Sequence, residues 1–519
     1  MSGSSRWMAK AADSLSQVKS TVQSLHVGES LRARALRGGA WLGSASVAEQ
    51  SARMIRNLIL VRLLVPASFG TMAIVLSITS VLQAFTEVGV WSALIQNPRG
   101  KEPQYVNAAW WMAFSRSLLI GSCMFFGAPW IGKFYGNTEL SGFLRLVVIG
   151  QLLEGAMSPM AYIAMKEMKY SRWAKITNGG AILGIVTTVT LGIILHSTWA
   201  LVIGTVSESA FRCLLSYIVC PHLPSLALDR DAFRDLFKFT KGMFGLSALN
   251  LIFNRADVFV LAKLLPATQL GFYTMAVSLA QVPAGFVANV IAQIMMPAAS
   301  HVQDDRPRIN RLVFQVTAVI ALLGLPAVAF AFFCARPLLT ILYGHGYAVA
   351  SSCLFLASCI AVMNLFNNQI TSSFFALGTP QLHRRAVAAM AVTMVILTYP
   401  MCKWLGLVGG QVAGLIAVTI GYALQLESMT HVTALKFSAY GKVFVQALGV
   451  SAAVVIVCLT SRLFTTLDSP ITIIGWGLAG CLLAYGLAGI VFFQNSKLAN
   501  SVANGFRHRA AKVCKVNHR

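Results

Sequence analysis

Charged side chains are scarce in this sequence. Only 11% of its 519 residues are Asp, Glu, Lys or Arg, against about 25% in a typical soluble protein. Acidic residues are the scarcest, with 17 Asp and Glu against 41 Lys and Arg, which gives a formal net charge of +24. The chain is 56% hydrophobic and its mean hydropathy is +0.69. So few charges cannot cover a water-soluble globule of this length, and the composition indicates a membrane protein.

Several motifs are absent as well. No G-x-x-x-x-G-K-[ST] sequence occurs, which argues against an ATP-driven pump. The ten cysteines show no CxxC or Cys/His spacing, so we expect no metal site, no cofactor and no disulfide framework. Residues 1–37 lack a continuous apolar stretch, and we expect a basic cytoplasmic tail rather than a signal peptide. Its apolar spacing predicts an amphipathic surface helix, with a disordered tail as the alternative.

Long apolar segments fill the rest of the chain. Each is long enough to cross a bilayer as a helix, and helices satisfy their own backbone hydrogen bonds in lipid. We therefore predict an all-α membrane protein of about fourteen transmembrane helices. The predicted spans are 40–63, 69–95, 107–130, 142–163, 174–195, 198–220, 242–264, 271–297, 311–333, 349–376, 386–402, 406–427, 442–464 and 470–493.

The distribution of Lys and Arg predicts the orientation. With the N-terminus in the cytoplasm, 29 of the 41 basic residues fall in inner loops and tails and six at outer turns. The other six lie within spans. Basic residues concentrate on the cytoplasmic side of membrane proteins, so we expect a multi-pass inner-membrane protein with both termini inside. The same pattern explains the high net charge without nucleic acid.

An internal repeat predicts two lobes. Residues 62–70 and 263–271 share a base, two leucines, a proline and a glycine, at an offset of 201 residues. An offset of about six spans predicts two parallel, pseudo-symmetric six-helix lobes with a site between them. The predicted parts are a tail (1–37), the first lobe (38–220), a cytoplasmic linker (221–241), the second lobe (242–430), two additional helices (440–494) and a basic tail (495–519).

Residues 38–43, 63–70 and 86–96, together with the second turn at 263–271, carry a family resemblance. This pattern resembles the bacterial polysaccharide transporter family, within the multidrug/oligosaccharidyl-lipid/polysaccharide flippase superfamily. The resemblance implies a flippase that moves undecaprenyl-pyrophosphate-linked oligosaccharide across the inner membrane by alternating access. It also implies this glycan and membrane lipids as partners, with polysaccharide polymerase machinery as a further candidate.

Moving a pyrophosphate through hydrocarbon requires compensating charge, and arginine binds phosphate with two parallel hydrogen bonds. Each arginine at a helix centre costs about 2.5–3.5 kcal/mol on insertion scales, so these residues should face a wet interior. We predict that Arg53, Arg56, Arg116 and Arg255 line a cationic substrate cavity. The amides Asn254 and Asn367 are candidates for binding sugar hydroxyls; as an alternative, such amides join helices.

Carboxylates at membrane depth are candidates for ion coupling. An antiporter needs a carboxylate whose protonation or ion binding differs between states. We name Asp257, Glu154 and Glu49 as candidates. The competing interpretation is a static ion pair, because Glu49 and Arg53 lie four residues apart on one helix face.

Other function classes stay open at this stage. A membrane-embedded polysaccharide polymerase or ligase is the enzyme alternative, but the outer loops near 131–142 and 334–348 are short and offer no catalytic constellation. We therefore predict no catalytic residues and a transporter rather than an enzyme. Within transporters, a lipid II flippase and a drug/cation antiporter of the same superfamily are the alternatives.

Overall fold

The computed structural model describes residues 31–494 apart from gaps at 87–89, 168, 223, 226–228, 242–245, 301, 303–304, 436 and 465–468. The predicted tails lie outside these residues, except that 31–37 begin the first helix. The helices are α1 Leu31–Leu63, α2 Pro66–Thr86, α3 Val90–Gln96, α4 Pro103–Tyr135, α5 Glu139–Gly155, α6 Met160–Lys166, α7 Tyr170–Leu195, α8 Thr198–Val219, α9 Arg230–Lys241, α10 Leu246–Leu264, α11 Ala267–Ser300, α12 Arg306–Tyr343, α13 Ser351–Ala376, α14 Pro380–Leu405, α15 Gly409–Thr433, α16 Phe437–Phe464 and α17 Pro470–Gln494. Short 3₁₀ turns, His345–Ala350 and Gly406–Val408, precede α13 and α15.

The described residues confirm an all-helical membrane protein. Fourteen of these helices have 17 residues or more, and each overlaps one predicted span. Nine helical segments in the described ranges are long and apolar enough to cross a membrane, or ten if one bent pair counts as a single span. The count of fourteen crossings stays a prediction, because several helices, such as α1, carry too many polar residues to meet that criterion.

One predicted span is interrupted, and another contains residues outside the described ranges. The span predicted at 69–95 includes α2 and the short α3, and residues 87–89 between them are not described. The span predicted at 142–163 is divided into α5 and α6, which are bent by 54° at a break that contains Pro159. Proline ends a helix because its ring excludes the preceding residue from helical geometry and removes a backbone donor. Hydropathy alone predicted one continuous helix across the break between α5 and α6.

The chain divides into two compact units. Unit 1 comprises residues up to Leu64 and Ile78–Ser247, and unit 2 comprises Val65–Ser77 and residues from Ala248 onward. α2 therefore contributes its first part to unit 2 and the rest to unit 1. The predicted linker 221–241 belongs to unit 1.

Two apolar clusters lie among the described residues of unit 1. One joins α3, α4, α6 and α9 through buried residues such as Leu94, Tyr105 and Leu236. The other joins the segment after α5 to α6, α7 and α8, through residues such as Ile176 and Cys213. Packing in a bilayer depends on close contact rather than on exclusion of water, and the second cluster holds α8, which carries two of the polar residues described below, against α7.

Unit 2 contains α10 to α17. Its clusters link α10, α14 and α15 around Phe253, and α11, α12, α13 and α15 around Phe374. The additional pair, α16 and α17, packs together through Val454 and Ala484 and against Leu322 of α12. A Cβ at Gly477 of α17 would overlap Cys334 of α12. The additional pair is therefore packed closely against this unit.

The two repeated turns meet inside unit 2 in a reciprocal contact. A Cβ at Gly70 would overlap the carbonyl oxygen of Ala267, and a Cβ at Gly271 would overlap that of Pro66. The repeat offset of 201 residues relates Pro66 to Ala267 and Gly70 to Gly271. A two-fold relation gives reciprocity of this kind. The superposition of two six-helix lobes stays a prediction.

We predict that Gly70→Ala and Gly271→Ala each destabilise the protein by about 1–3 kcal/mol, because a methyl group would overlap a backbone carbonyl that cannot move aside. The midpoint of thermal unfolding of the detergent-solubilised protein measures this destabilisation, and size-exclusion chromatography monitors the loss of folded protein. Gly449→Ala in α16 is the matched control, since a Cβ there meets no atom within 4 Å; it should be neutral or stabilising. Equal midpoints for Gly70→Ala and Gly449→Ala would contradict the contact.

Candidate functional site

Unit 1 contains a cluster of four ionised side chains from α1 and α8. Arg53 contacts Glu49 at 2.9 Å and Glu208 at 2.6 Å. Arg212 contacts Glu208 at 2.7 Å and Glu49 at 3.4 Å. Two arginines and two glutamates thus form a neutral quartet. We call these four residues the ion quartet.

Glycines on α7 bring the ion quartet into position. A Cβ at Gly184 would lie 2.5 Å from the Glu208 Cβ, and one at Gly180 would lie 3.0 Å from the Arg212 backbone nitrogen. Helices in lipid approach closely where such small residues lie. With α7 packed closely behind α8, the two α8 charges extend towards α1, and the Glu208 side chain is only 11% exposed.

Pairing in the ion quartet bears on two predicted site residues. Arg53, which is predicted to bind substrate, forms ion pairs with two carboxylates. Glu49, which is predicted for ion coupling, forms ion pairs with two arginines. Buried ion pairs largely offset their own desolvation cost. In this structure both residues are ion-pair residues, and a direct role in transport stays a prediction.

Arg56 lies one helical turn beyond Arg53 and differs from it. It is half-buried, and its guanidinium donates to the Asn57 Oδ1 at 3.2 and 3.3 Å. It makes no ion pair with any residue that the structure describes. A neutral amide oxygen leaves the full positive charge in place, so Arg56 is a cation without a paired carboxylate in the interior of unit 1.

A second polar group surrounds Glu154 on α5. Its Oε1 accepts from the Ser209 hydroxyl at 3.2 Å and its Oε2 from Gln83 at 3.5 Å. Gln83 also donates to Gln151 at 2.7 Å. Arg116 of α4 and Arg212 lie close enough to interact electrostatically with Glu154. Among the described residues, this polar group, the ion quartet and Arg56 together contain four arginines and three glutamates, an excess of one positive charge.

Unit 2 contains a cavity of about 240 Å³. It lies among α10, α11, α13, α14 and α15. Glycines at 285, 410 and 414 lie in its lining, and their lack of side chains leaves room. Its polar lining consists of one carboxylate and five amides: Asp257, Asn254, Gln281, Asn364, Asn368 and Gln411. No Lys or Arg is among the described residues that line it, so it suits a neutral polar group or a cation rather than a phosphate.

Asp257 is held at one side of this cavity. Its Oδ2 accepts a short hydrogen bond from the Tyr273 hydroxyl, which in turn accepts from Gln411 Nε2 at 2.6 Å. The other carboxylate oxygen, Oδ1, is buried and has no hydrogen-bond partner. Asp257 therefore has one oxygen fixed and one available for a proton or a cation. The described residues contain no group of three or more His, Cys, Asp or Glu that could hold a metal ion.

The other predicted residues of unit 2 lie on different helix faces, and not all of them line the cavity. Asn254 lines the cavity together with Asp257, three residues away on α10, whereas Arg255 does not. Arg255 is half-buried and makes no ion pair in the described ranges. Asn367 is buried and donates to the backbone oxygens of Met363 and Val418, so it joins α13 to α15, and its binding of sugar stays a prediction.

Sequence reasoning missed several polar residues of these sites. Gln83 and Gln151 lie in unit 1, and Gln281 and Gln411 line the cavity of unit 2. Each is an amide inside an apolar segment, which is the same signal that had identified Asn254. Tyr273 was missed because a tyrosine near a helix start is ordinary in membrane proteins.

Comparison with known proteins identifies the family of this protein. Residues 59–352 match the model of a family described as "Polysaccharide biosynthesis protein". The match covers more than half of the chain. The protein belongs to this family. The predicted resemblance and the predicted transporter, rather than an enzyme, are both confirmed.

Two relatives and one solved structure agree with this family. The lipopolysaccharide biosynthesis protein WzxC of Escherichia coli (strain K12) is 20% identical over 399 residues, 76% of this chain and 79% of that protein. The succinoglycan biosynthesis transport protein ExoT of Rhizobium meliloti (strain 1021) is 23% identical, over 56% of this chain and 59% of that one. The lipid II flippase MurJ, in an inward closed conformation, matches 87% of this chain and 99% of its own with a TM-score of 0.70 at 14% identity, which supports the family's fold.

We predict that Glu208→Gln destabilises the protein by up to about 3 kcal/mol, because it leaves two arginines of the ion quartet sharing Glu49. The thermal unfolding midpoint in detergent measures this. Glu102→Gln is the matched control: Glu102 pairs with Arg99 at 3.1 Å, but their side chains are 44% and 60% exposed, and exposed pairs contribute about 0–1 kcal/mol. If the two variants unfold at the same temperature, the ion quartet has no structural role.

Proposed function

We propose that this protein is a flippase that translocates undecaprenyl-pyrophosphate-linked oligosaccharide across the bacterial inner membrane. It works by alternating access and supplies the synthesis of a surface polysaccharide: O-antigen, capsule or exopolysaccharide. Family membership supports this proposal, as does the similarity to the lipopolysaccharide biosynthesis protein WzxC and the succinoglycan biosynthesis transport protein ExoT. Polysaccharide polymerase machinery is the proposed downstream partner, and both termini lie in the cytoplasm under the same proposal.

The observation that carries the proposal is the unpaired cation in unit 1. An arginine at membrane depth normally pairs with a carboxylate, as Arg53 and Arg212 do in the ion quartet. Arg56 has only an amide partner. Its desolvation cost is best explained by an anionic ligand that completes the site during transport, and a guanidinium matches a pyrophosphate oxygen pair geometrically. Arg116 and Arg255 are proposed as further contacts.

The cavity of unit 2 is proposed to bind sugar. Amide side chains donate to and accept from hydroxyl groups without carrying charge, and five of them line this cavity. Its 240 Å³ is below the roughly 300–1,000 Å³ of pockets for drug-sized ligands. The cavity therefore has room for a small part of a glycan rather than for an oligosaccharide. Asn254 is its predicted member, and Asn364, Asn368 and Gln411 join it.

Asp257 is the proposed coupling residue. A carboxylate with one buried, unpartnered oxygen can take up a proton or a cation when its surroundings change, whereas Glu49 is engaged by two arginines. Glu154 is the second candidate because its partners are a hydroxyl and an amide. Glu49 is retained only as a member of the ion quartet.

Lipid II flippase activity is the second candidate, and the extensive fold similarity to MurJ favours it. Both candidates move a pyrophosphate-linked lipid, so the cation requirement is shared. Loss of a surface polysaccharide with unimpaired growth, on deleting the gene, supports the first candidate. Arrest of cell-wall synthesis supports the second.

Replacing Arg56 tests the proposal. In a host lacking the chromosomal copy, Arg56→Ala should reduce surface polysaccharide at least tenfold, while immunoblotting shows normal protein in the membrane. Arg56→Lys should restore export in part, because it keeps the charge but loses the planar fork. Arg145→Ala is the control, since Arg145 is exposed and lies over the Phe125 ring. Full export by an Arg56→Ala/Arg255→Ala double variant would refute a cationic substrate site.

A further inference from the structure

The helix α9 lies between the membrane helices α8 and α10 in sequence and has a defined start. The Asp229 side chain accepts from the backbone nitrogens of Asp231 at 2.9 Å and Ala232 at 3.0 Å, which caps the helix. Its charged sequence cannot cross a bilayer. α9 is therefore a separate element outside the hydrocarbon.

One face of α9 is docked onto unit 1. Ala232 and Leu236 are 2% and 1% exposed and pack against α3 and α4. The Tyr105 hydroxyl donates to the Asp235 carboxylate at 2.9 Å. Tyr105 is the third residue of α4, a 33-residue helix with the length and hydropathy of a membrane span. The docking therefore holds α9 at the level where α4 enters the membrane.

The opposite face of α9 is exposed and has an unusual composition. Phe233 and Phe237 are 39% and 52% exposed, and their rings stack with centroids 6.4 Å apart. Arg230 and Arg234 are exposed on the same side and make no ion pair with any described residue. At 100° per residue, Arg230, Arg234 and the two phenylalanines fall within about a third of the helix circumference. Two aromatic rings and two cations thus share one unpartnered surface.

From this arrangement we propose that the outer face of α9 binds the anionic lipid surface of the adjacent leaflet. Phe233 and Phe237 insert between headgroups, and Arg230 and Arg234 bind lipid phosphates. Aromatic residues beside cations on one helix face are typical of helices that lie in the membrane interface. The charge is complementary, because cytoplasmic leaflets contain anionic lipid and each nearby arginine strengthens binding about fivefold.

The location of α9 favours lipid over a soluble protein partner. The inner face is already occupied by unit 1, at the end of a membrane helix. With one face bound to unit 1 and the other to lipid, α9 fixes the height of unit 1 in the membrane.

Hydrogen–deuterium exchange of full-length protein in nanodiscs tests this proposal. Nanodiscs of phosphatidylcholine are compared with nanodiscs that also contain phosphatidylglycerol, and exchange is measured in peptides covering 229–241. The wild type should exchange at least fivefold more slowly with phosphatidylglycerol. Arg230→Gln/Arg234→Gln and Phe233→Ser/Phe237→Ser should each lose most of that difference. Arg384→Gln/Arg385→Gln, an exposed basic pair on α14, should keep it.

Two results would overturn the proposal. One is equal exchange of wild-type 229–241 in both lipids. The other is slowing by inorganic pyrophosphate in phosphatidylcholine nanodiscs, without slowing by phosphatidylglycerol, which would assign the arginines to a substrate headgroup. Fewer phosphatidylglycerol molecules co-purifying with the arginine variant supports the proposal through a second measurement. Size-exclusion chromatography ensures that the variants compared are folded.

Discussion

The neutralisation of charge inside an apolar medium is the constraint on which this structure depends. Every ionised group at membrane depth must find a partner or reach water, because an isolated charge in hydrocarbon is costly. Unit 1 meets this constraint with the ion quartet, in which Arg53 and Arg212 share Glu49 and Glu208. Arg56 lies outside the quartet, donates to an amide oxygen and makes no ion pair among the described residues. The proposed anion specificity follows from this imbalance.

Unit 2 has fewer charged side chains around its cavity than unit 1 has around the ion quartet. Its cavity is lined by amides, and its single carboxylate, Asp257, is anchored through Tyr273 and Gln411. A fixed carboxylate with one bare oxygen changes its interactions strongly on protonation, whereas amides change little. Among the described residues, unit 1 therefore has an excess of positive charge, whereas unit 2 has a polar cavity lined by amides and one titratable carboxylate. A phosphate-linked glycan presents both kinds of group.

Much of the fold could be predicted from the sequence, because apolar length and proline or glycine breaks are local properties. The repeated turns were also visible, and the reciprocal contact of Gly70 and Gly271 gives them a structural meaning. The ion quartet could not be predicted in full: Glu208 and Arg212 are four residues apart, but Arg53 lies 155 residues from Glu208. Helical spacing does explain why Asp257, rather than Arg255, shares a cavity face with Asn254. The break between α5 and α6 could be predicted only by giving Pro159 more weight than the continuous apolar pattern around it.

The central claim is that the cationic excess in unit 1 recognises a pyrophosphate. Native mass spectrometry of the purified protein tests it most directly, by comparing an undecaprenyl-pyrophosphate-linked glycan with the same glycan attached to the lipid without phosphate. The account predicts at least tenfold tighter binding of the pyrophosphate form, about 1.4 kcal/mol or more, and loss of that preference when Arg56 is neutralised. Equal affinity for both lipids would contradict the account.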